Sequence, residues 1–68
     1  MSKRRDWAID DKNYLIEMDY QTRLITIMEK DTEKIAFTSK VSNDENIDEE
    51  YQRILEYIYL NNKIPEKQ

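Results

Sequence analysis

Residues 23–28 read RLITIM. As a strand this stretch is apolar on both sides. Leu24 and Met28, with Thr26 between them, point one way, and Ile25 and Ile27 point the other. A small domain can cover one face of a sheet with its own helix, so two questions follow: which face of this strand is covered, and what lies over the other.

The neighbouring segments supply the partners. Upstream, NYLIEMDY (13–20) alternates: Tyr14, Ile16, Met18 and Tyr20 share one face, and Asn13, Leu15, Glu17 and Asp19 share the other. Downstream, KIAFTSKV (34–41) sets Ile35, Phe37 and Val41 against Lys34, Thr38 and Lys40. KDTE (30–33) makes the turn between the second and third strands. WAI (7–9) reads as a short edge strand or a flap. SNDENIDEEYQRILEYIYLNNK (42–63) reads as a helix. Ile47, Tyr51, Ile54, Leu55 and Ile58 form its apolar stripe at steps of three and four. Asn46 with Glu49 resembles a capping box, with Ser42 and Glu45 as the competing pair. Asn61 and Asn62 stop the helix, and Pro65 prevents its continuation. The expected architecture is α+β: a three-stranded antiparallel meander with a short extra N-terminal strand as an option, packed against one C-terminal helix. Residues 1–6 are expected as a flexible basic tail, 7–62 as a single domain and 63–68 as a flexible C-terminal tail.

Loop parity decides the faces. A first loop of two or four residues sets Met18 opposite Ile25. A second loop of two or four residues sets Met28 opposite Ile35, and so aligns Leu24 and Met28 with Ile35 and Phe37. Strands one and three would then bury opposite faces, so one loop has odd length or a bulge intervenes. The β-branched Ile25 and Ile27 are placed under the helix. The expected core is Ile16, Met18, Ile25, Ile27, Ile35, Phe37, Val41 and the helix stripe. Leu15, Leu24, Met28 and Ala36 are left on the open face, ringed by Glu17, Asp19, Lys34 and Lys40. Either Trp7 and Ile9 fold back over that patch, or another chain covers it.

Composition restricts the chemistry. Sixty-eight residues make one domain, and a chain of this size buries only about 60% of the surface its unfolded form exposes. It has no cysteine and no histidine. Disulfides, Ser–His and Cys–His pairs and the usual zinc ligands are therefore excluded. It has no glycine either, which excludes phosphate-cradling loops and disfavours two-residue primed hairpins. The run DENIDEE (44–50) fails the calcium-loop pattern. No enzyme activity, metal or cofactor is expected. The net charge of −4 argues against duplex DNA and anionic membrane as partners. No apolar run reaches membrane-spanning length, and no signal segment is visible, so a cytoplasmic location is expected.

What remains is surface. The expected partner-binding residues are Leu15, Leu24 and Met28 on the open sheet face, Asp48, Glu49 and Glu50 in the acidic run, and Tyr57 and Leu60 on the flank of the helix. The acidic run also suits the positive end of the helix dipole without any partner. The expected function is a small acidic interaction module of regulatory or inhibitory kind, as in a bacterial or phage accessory protein. Its expected partner is another protein, or a second copy bound through the open face. The alternative is a single-stranded nucleic-acid binder that stacks bases on Tyr14 or Tyr20 and holds phosphate with Lys3, Arg4 and Arg5.

Overall fold

The computed structural model describes residues 2–66. Four strands, β1 (Ser2–Ile9), β2 (Lys12–Asp19), β3 (Leu24–Glu29) and β4 (Ile35–Lys40), form an antiparallel sheet in sequence order. The helix α1 (Ile47–Asn61) lies over one face. The fold is α+β, and among the described residues no helix is long and apolar enough to cross a membrane.

A bulge settles the parity problem. Met18 pairs with Ile25 and Ile16 with Ile27, and all four side chains are fully buried beneath α1. Both of the following hairpins turn over four residues, 20–23 and 30–33. The N–H of Arg23 donates to the Asp19 carbonyl and that of Glu33 to the Glu29 carbonyl, each at 2.8 Å. Even loops would put Ile35 and Phe37 on the same open face. Instead the ladder steps from Ile27↔Phe37 to Met28↔Ile35, so Ala36 is an extra residue on β4. Phe37 and Val41 therefore reach the helix side, where Val41 is buried and Phe37 half-buried. Ile35 does not join the core as expected. It faces away from α1 and is 63% exposed.

The N-terminal segment also differs from expectation. Residues 2–6 are not a tail: they belong to β1, which pairs residue for residue with β2, from Ser2↔Asp19 to Ile9↔Lys12. Charged contacts hold this strand where an apolar pattern is missing. Arg4 Nε lies 2.7 Å from Glu17 Oε2, and the Arg5 guanidinium stacks 4.5 Å over the Trp7 ring. Trp7 and Ile9 do not cover the open face. Ile9 is a core residue and Trp7 packs against the same core, alongside Tyr14. Ile64, expected in a flexible tail, packs there too. The last two residues of that expected tail lie outside the described residues.

The helix follows its signals closely. Asn46 accepts from the N–H groups of Asp48 (3.0 Å) and Glu49 (3.2 Å), satisfying two of the donors that a helix start leaves free. The Ser42–Glu45 pair forms a separate turn just before it, with Ser42 Oγ 2.9 Å from Glu45 Oε1. Ile47, Tyr51, Ile54, Leu55 and Ile58 are all buried. Asn62 ends the helix in the left-handed region, its N–H donating to the Ile58 carbonyl.

A chain without glycine makes its left-handed turns with other residues. Asp10, Asp11, Arg23, Glu33 and Asn62 all have positive φ. Asp10 and Asp11 form the two-residue β1–β2 hairpin, with φ of 55° and 67°. Positive φ at both positions is the type I′ pattern, so the primed turn forms here despite the missing glycine. Aspartate tolerates that region better than most residues, but at a cost that Asn and Gly would not bear.

Two predictions follow from this geometry. Replacing Asp10→Asn together with Asp11→Gly should raise stability by about 1 kcal/mol, and chemical denaturation would register the gain. Ile27→Ala should cost about 2–5 kcal/mol, whereas Ile35→Ala should cost less than about 1 kcal/mol. Equal losses in the two variants would place Ile35 in the core and remove the bulge from the account.

Candidate interaction surface

The open face is a lattice fixed by the pairing register. One row crosses three strands, with Leu15 opposite Met28 and Met28 opposite Ile35. Leu15 and Met28 are half-buried, and Ile35 stands at the sheet's edge. The next row is polar, with Glu17 opposite Thr26 and Thr26 opposite Thr38. Beyond it, Leu24 lies between Asp19 and Lys40. The expected trio is thus only partly brought together: Leu15 and Met28 are neighbours, while Thr26 separates Leu24 from both. Ile35 takes the third place in the row, and sequence reasoning missed it because the bulge leaves no mark in the periodicity.

Two ion pairs lie on this face, and the charged groups of Asp19 and Lys40 bond to the backbone. Arg4 bonds Glu17, and Lys30 Nζ lies 3.3 Å from Asp6 Oδ1. Lys40 Nζ donates to the Thr22 carbonyl at 2.6 Å. Exposed pairs of this kind add at most about 1 kcal/mol each, but they leave the face locally neutral in a molecule of net charge −4.

The acidic run divides by role. Asp48 is a structural tie: the Tyr20 hydroxyl donates to its Oδ1 at 2.7 Å, and Lys3 Nζ lies 3.4 Å away. The loop after β2, the strand β1 and the start of α1 meet at this carboxylate. The Tyr20 hydrogen bond, and after it Lys3, hold its pKa below the usual value. Glu50 is bonded to Arg53, while Glu49 is exposed. Tyr57 is half-buried, and Leu60 projects with Tyr59 into solvent, each 77% exposed. Neither the acidic residues nor Tyr57 and Leu60 are continuous with the open face, because α1 covers the other side of the sheet.

Arg23 carries a role that sequence reasoning did not assign. Its Nε donates to the Val41 carbonyl (3.2 Å) and its terminal nitrogen to the carbonyls of Ser42 (2.9 Å) and Glu45. Its own carbonyl accepts from the Val41 N–H at 2.9 Å. The guanidinium therefore fastens the β4–α1 connection to the β2–β3 hairpin. A lone arginine beside a turn gives no warning of this, since its partners are backbone carbonyls about twenty residues on.

The concave places are shallow. One groove of 190 Å³ runs between β4 and α1, lined by Phe37, Ile54, Tyr57 and Pro65 among others. Among the described residues no group of three or more carboxylates could hold a metal ion. The open face carries no aromatic ring. Tyr14 and Trp7 are on the helix side, and Tyr20 is held by Asp48. No family model matches the chain, and comparison with curated proteins and with solved structures found no match.

The ionisable groups give one prediction on pH. Asp19, held by the N–H groups of Thr22 and Gln21, Asp44, held first by the Ser42 hydroxyl, and Asp48 all have lowered pKa values. Their contribution is present above the ordinary value of 3.8 and is lost as pH falls through the lower folded-state values. Lys3, raised chiefly by Tyr20, contributes below 10.5 and loses its contribution as pH climbs through a value above that. With no histidine, the melting temperature should stay level between about pH 5 and 9 and fall on either side. A step near neutrality in a circular-dichroism melting series would contradict this.

Proposed function

We propose that this chain is a non-enzymatic interaction module that docks on another protein through the open face of its sheet, and that it regulates or inhibits by occupying that protein's surface. The observation that carries the reading is the Leu15–Met28–Ile35 row. Three apolar side chains lie in register across adjacent strands, and the one at the edge is 63% exposed. Single exposed hydrophobes are ordinary, but a contiguous row within a polar surround has the anatomy of a binding patch. Local neutrality removes a barrier to approach by partners of either sign. The absence of histidine and cysteine from the chain weighs against catalysis. The nucleic-acid alternative lacks a stacking platform, and Lys3, Arg4 and Arg5 already have partners within the protein.

Substitution on the two faces tests this. Met28→Lys and Ile35→Lys should each keep the fold, because a lysine on an open face can reach water. Both should lose a protein partner captured from native extract by the wild type. Leu24→Lys should affect capture less. Undiminished capture by the Met28 and Ile35 variants, with unchanged melting, would remove the open face from the reading.

A further inference from the structure

The two edges of the sheet are unlike. β1 carries Lys3, Arg4, Arg5 and Asp6 in succession, the kind of charged edge that discourages strand pairing. β4 is uncharged over residues 35–39, with Lys34 and Lys40 at either end. The bulge interrupts the ladder at Ala36, so residues 37–40 form the regular part, matched to Leu24, Thr26 and the two buried isoleucines of β3. The Val41 N–H donates inward to Arg23. From that pair, the alternation of an antiparallel ladder turns Ser39 and Phe37 inward and sends the N–H and C=O of Thr38 and Lys40 outward. Apolar groups flank this edge on both faces of the sheet. Ile35 ends the open-face row, and the groove on the helix side is lined by Phe37, Ile54, Tyr57 and Pro65 together with the charged Glu50, Arg53 and Glu66.

We propose that β4 accepts an extended segment of a partner protein as a fifth strand, with apolar side chains on both of its faces and acidic residues at its ends. This rests on the reading that the chain docks on another protein. An added strand is the occupant that reaches both apolar features, since its side chains alternate between the two faces. A surface laid flat on the open face would meet the Leu15–Met28–Ile35 row but not the groove on the helix side. The charge of the strand selects the occupant. Lys34 makes no ion pair among the described residues, and β4 has no acidic residue. A second copy paired antiparallel about Phe37 would set Lys34 opposite its neighbour's Lys40, placing like charges face to face. Acidic flanks on a different chain turn the same two lysines into attractive contacts.

The probe is a nine-residue peptide, Asp-Asp-Val-Ile-Val-Ile-Val-Asp-Asp, added at about 1 mM to the isotope-labelled full chain, a concentration that populates a weak complex. Amide exchange should slow about tenfold at Thr38 and Lys40, whose N–H groups point outward. The same peptide with lysine in place of each aspartate should produce no slowing. Thr38→Pro removes an outward N–H while leaving the inner ladder intact, and should abolish the effect without loss of far-ultraviolet circular dichroism. Three results would overturn the proposal: no slowing with the acidic peptide, equal slowing with the lysine peptide, or slowing that tracks protein concentration without peptide, which would name a second copy as the occupant. Changes confined to the Leu15 and Met28 amides would also overturn strand addition, yet leave docking on the open face standing. The wild-type measurement decides the matter even if the proline variant unfolds.

Discussion

One extra residue, Ala36, reconciles two strands that cannot otherwise share a core. Both four-residue hairpins preserve parity, and parity alone would turn Phe37 and Val41 away from α1. In a sheet the side-chain period is two, so a single inserted residue exchanges the faces of everything beyond it. Past the bulge, β4 delivers Phe37 and Val41 to the helix side, next to Ile25 and Ile27. The connection to α1 then begins on the correct side of the sheet. Before the bulge, Ile35 is left on the open face. Core and exposed patch are two consequences of the same inserted residue.

The turns show how a chain without glycine reaches conformations that glycine usually supplies. The four-residue loops both end in a left-handed residue, Arg23 and Glu33, and the hairpin at Asp10 and Asp11 has two. At Arg23 the backbone cost is offset by what that residue then does. Its carbonyl takes the Val41 N–H and its guanidinium spans the carbonyls of Val41, Ser42 and Glu45. A glycine would relax the turn but release the β4–α1 connection. Turn geometry and tertiary attachment are joined in one side chain, which accounts for an arginine in a position that backbone preference alone would give to glycine or asparagine.

Much of the fold was legible because it repeats at a fixed period. The alternation in β2, the stripe of α1, its Asn46 start and its Asn62 stop all appear in the structure as the residue pattern specifies. Parity even announced that a bulge or an odd loop had to exist. What the pattern could not say was where. Ala36 has no distinguishing chemistry, so periodicity alone places Ile35 in the core and leaves Leu15, Leu24, Met28 and Ala36 as the open patch. WAI already marks the end of β1 as an optional strand, but its first half, residues 2–6, gives no such signal. Four consecutive charged residues carry no hydrophobic period, and a tie such as Arg4 to Glu17 on β2 is visible only once the register is known.

The distribution of charge completes the division of labour between the two sides. The acidic residues gather at the start of α1, where the helix dipole favours them and where Asp48 also ties Tyr20 and Lys3 to the helix. The open face, by contrast, carries two local ion pairs. The acidic run therefore lies away from the open face, and contact through the sheet does not meet it. β4 belongs to both sides at once: Phe37, with Val41 just beyond the strand, serves the core, while Ile35 and the outward backbone of Thr38 and Lys40 face away from it. A substitution that removed the bulge would put Ile35 on the same face as Phe37 and Val41, so the core and the exposed row could not both keep their present residues. The core and the exposed row are thus coupled through the register of this strand.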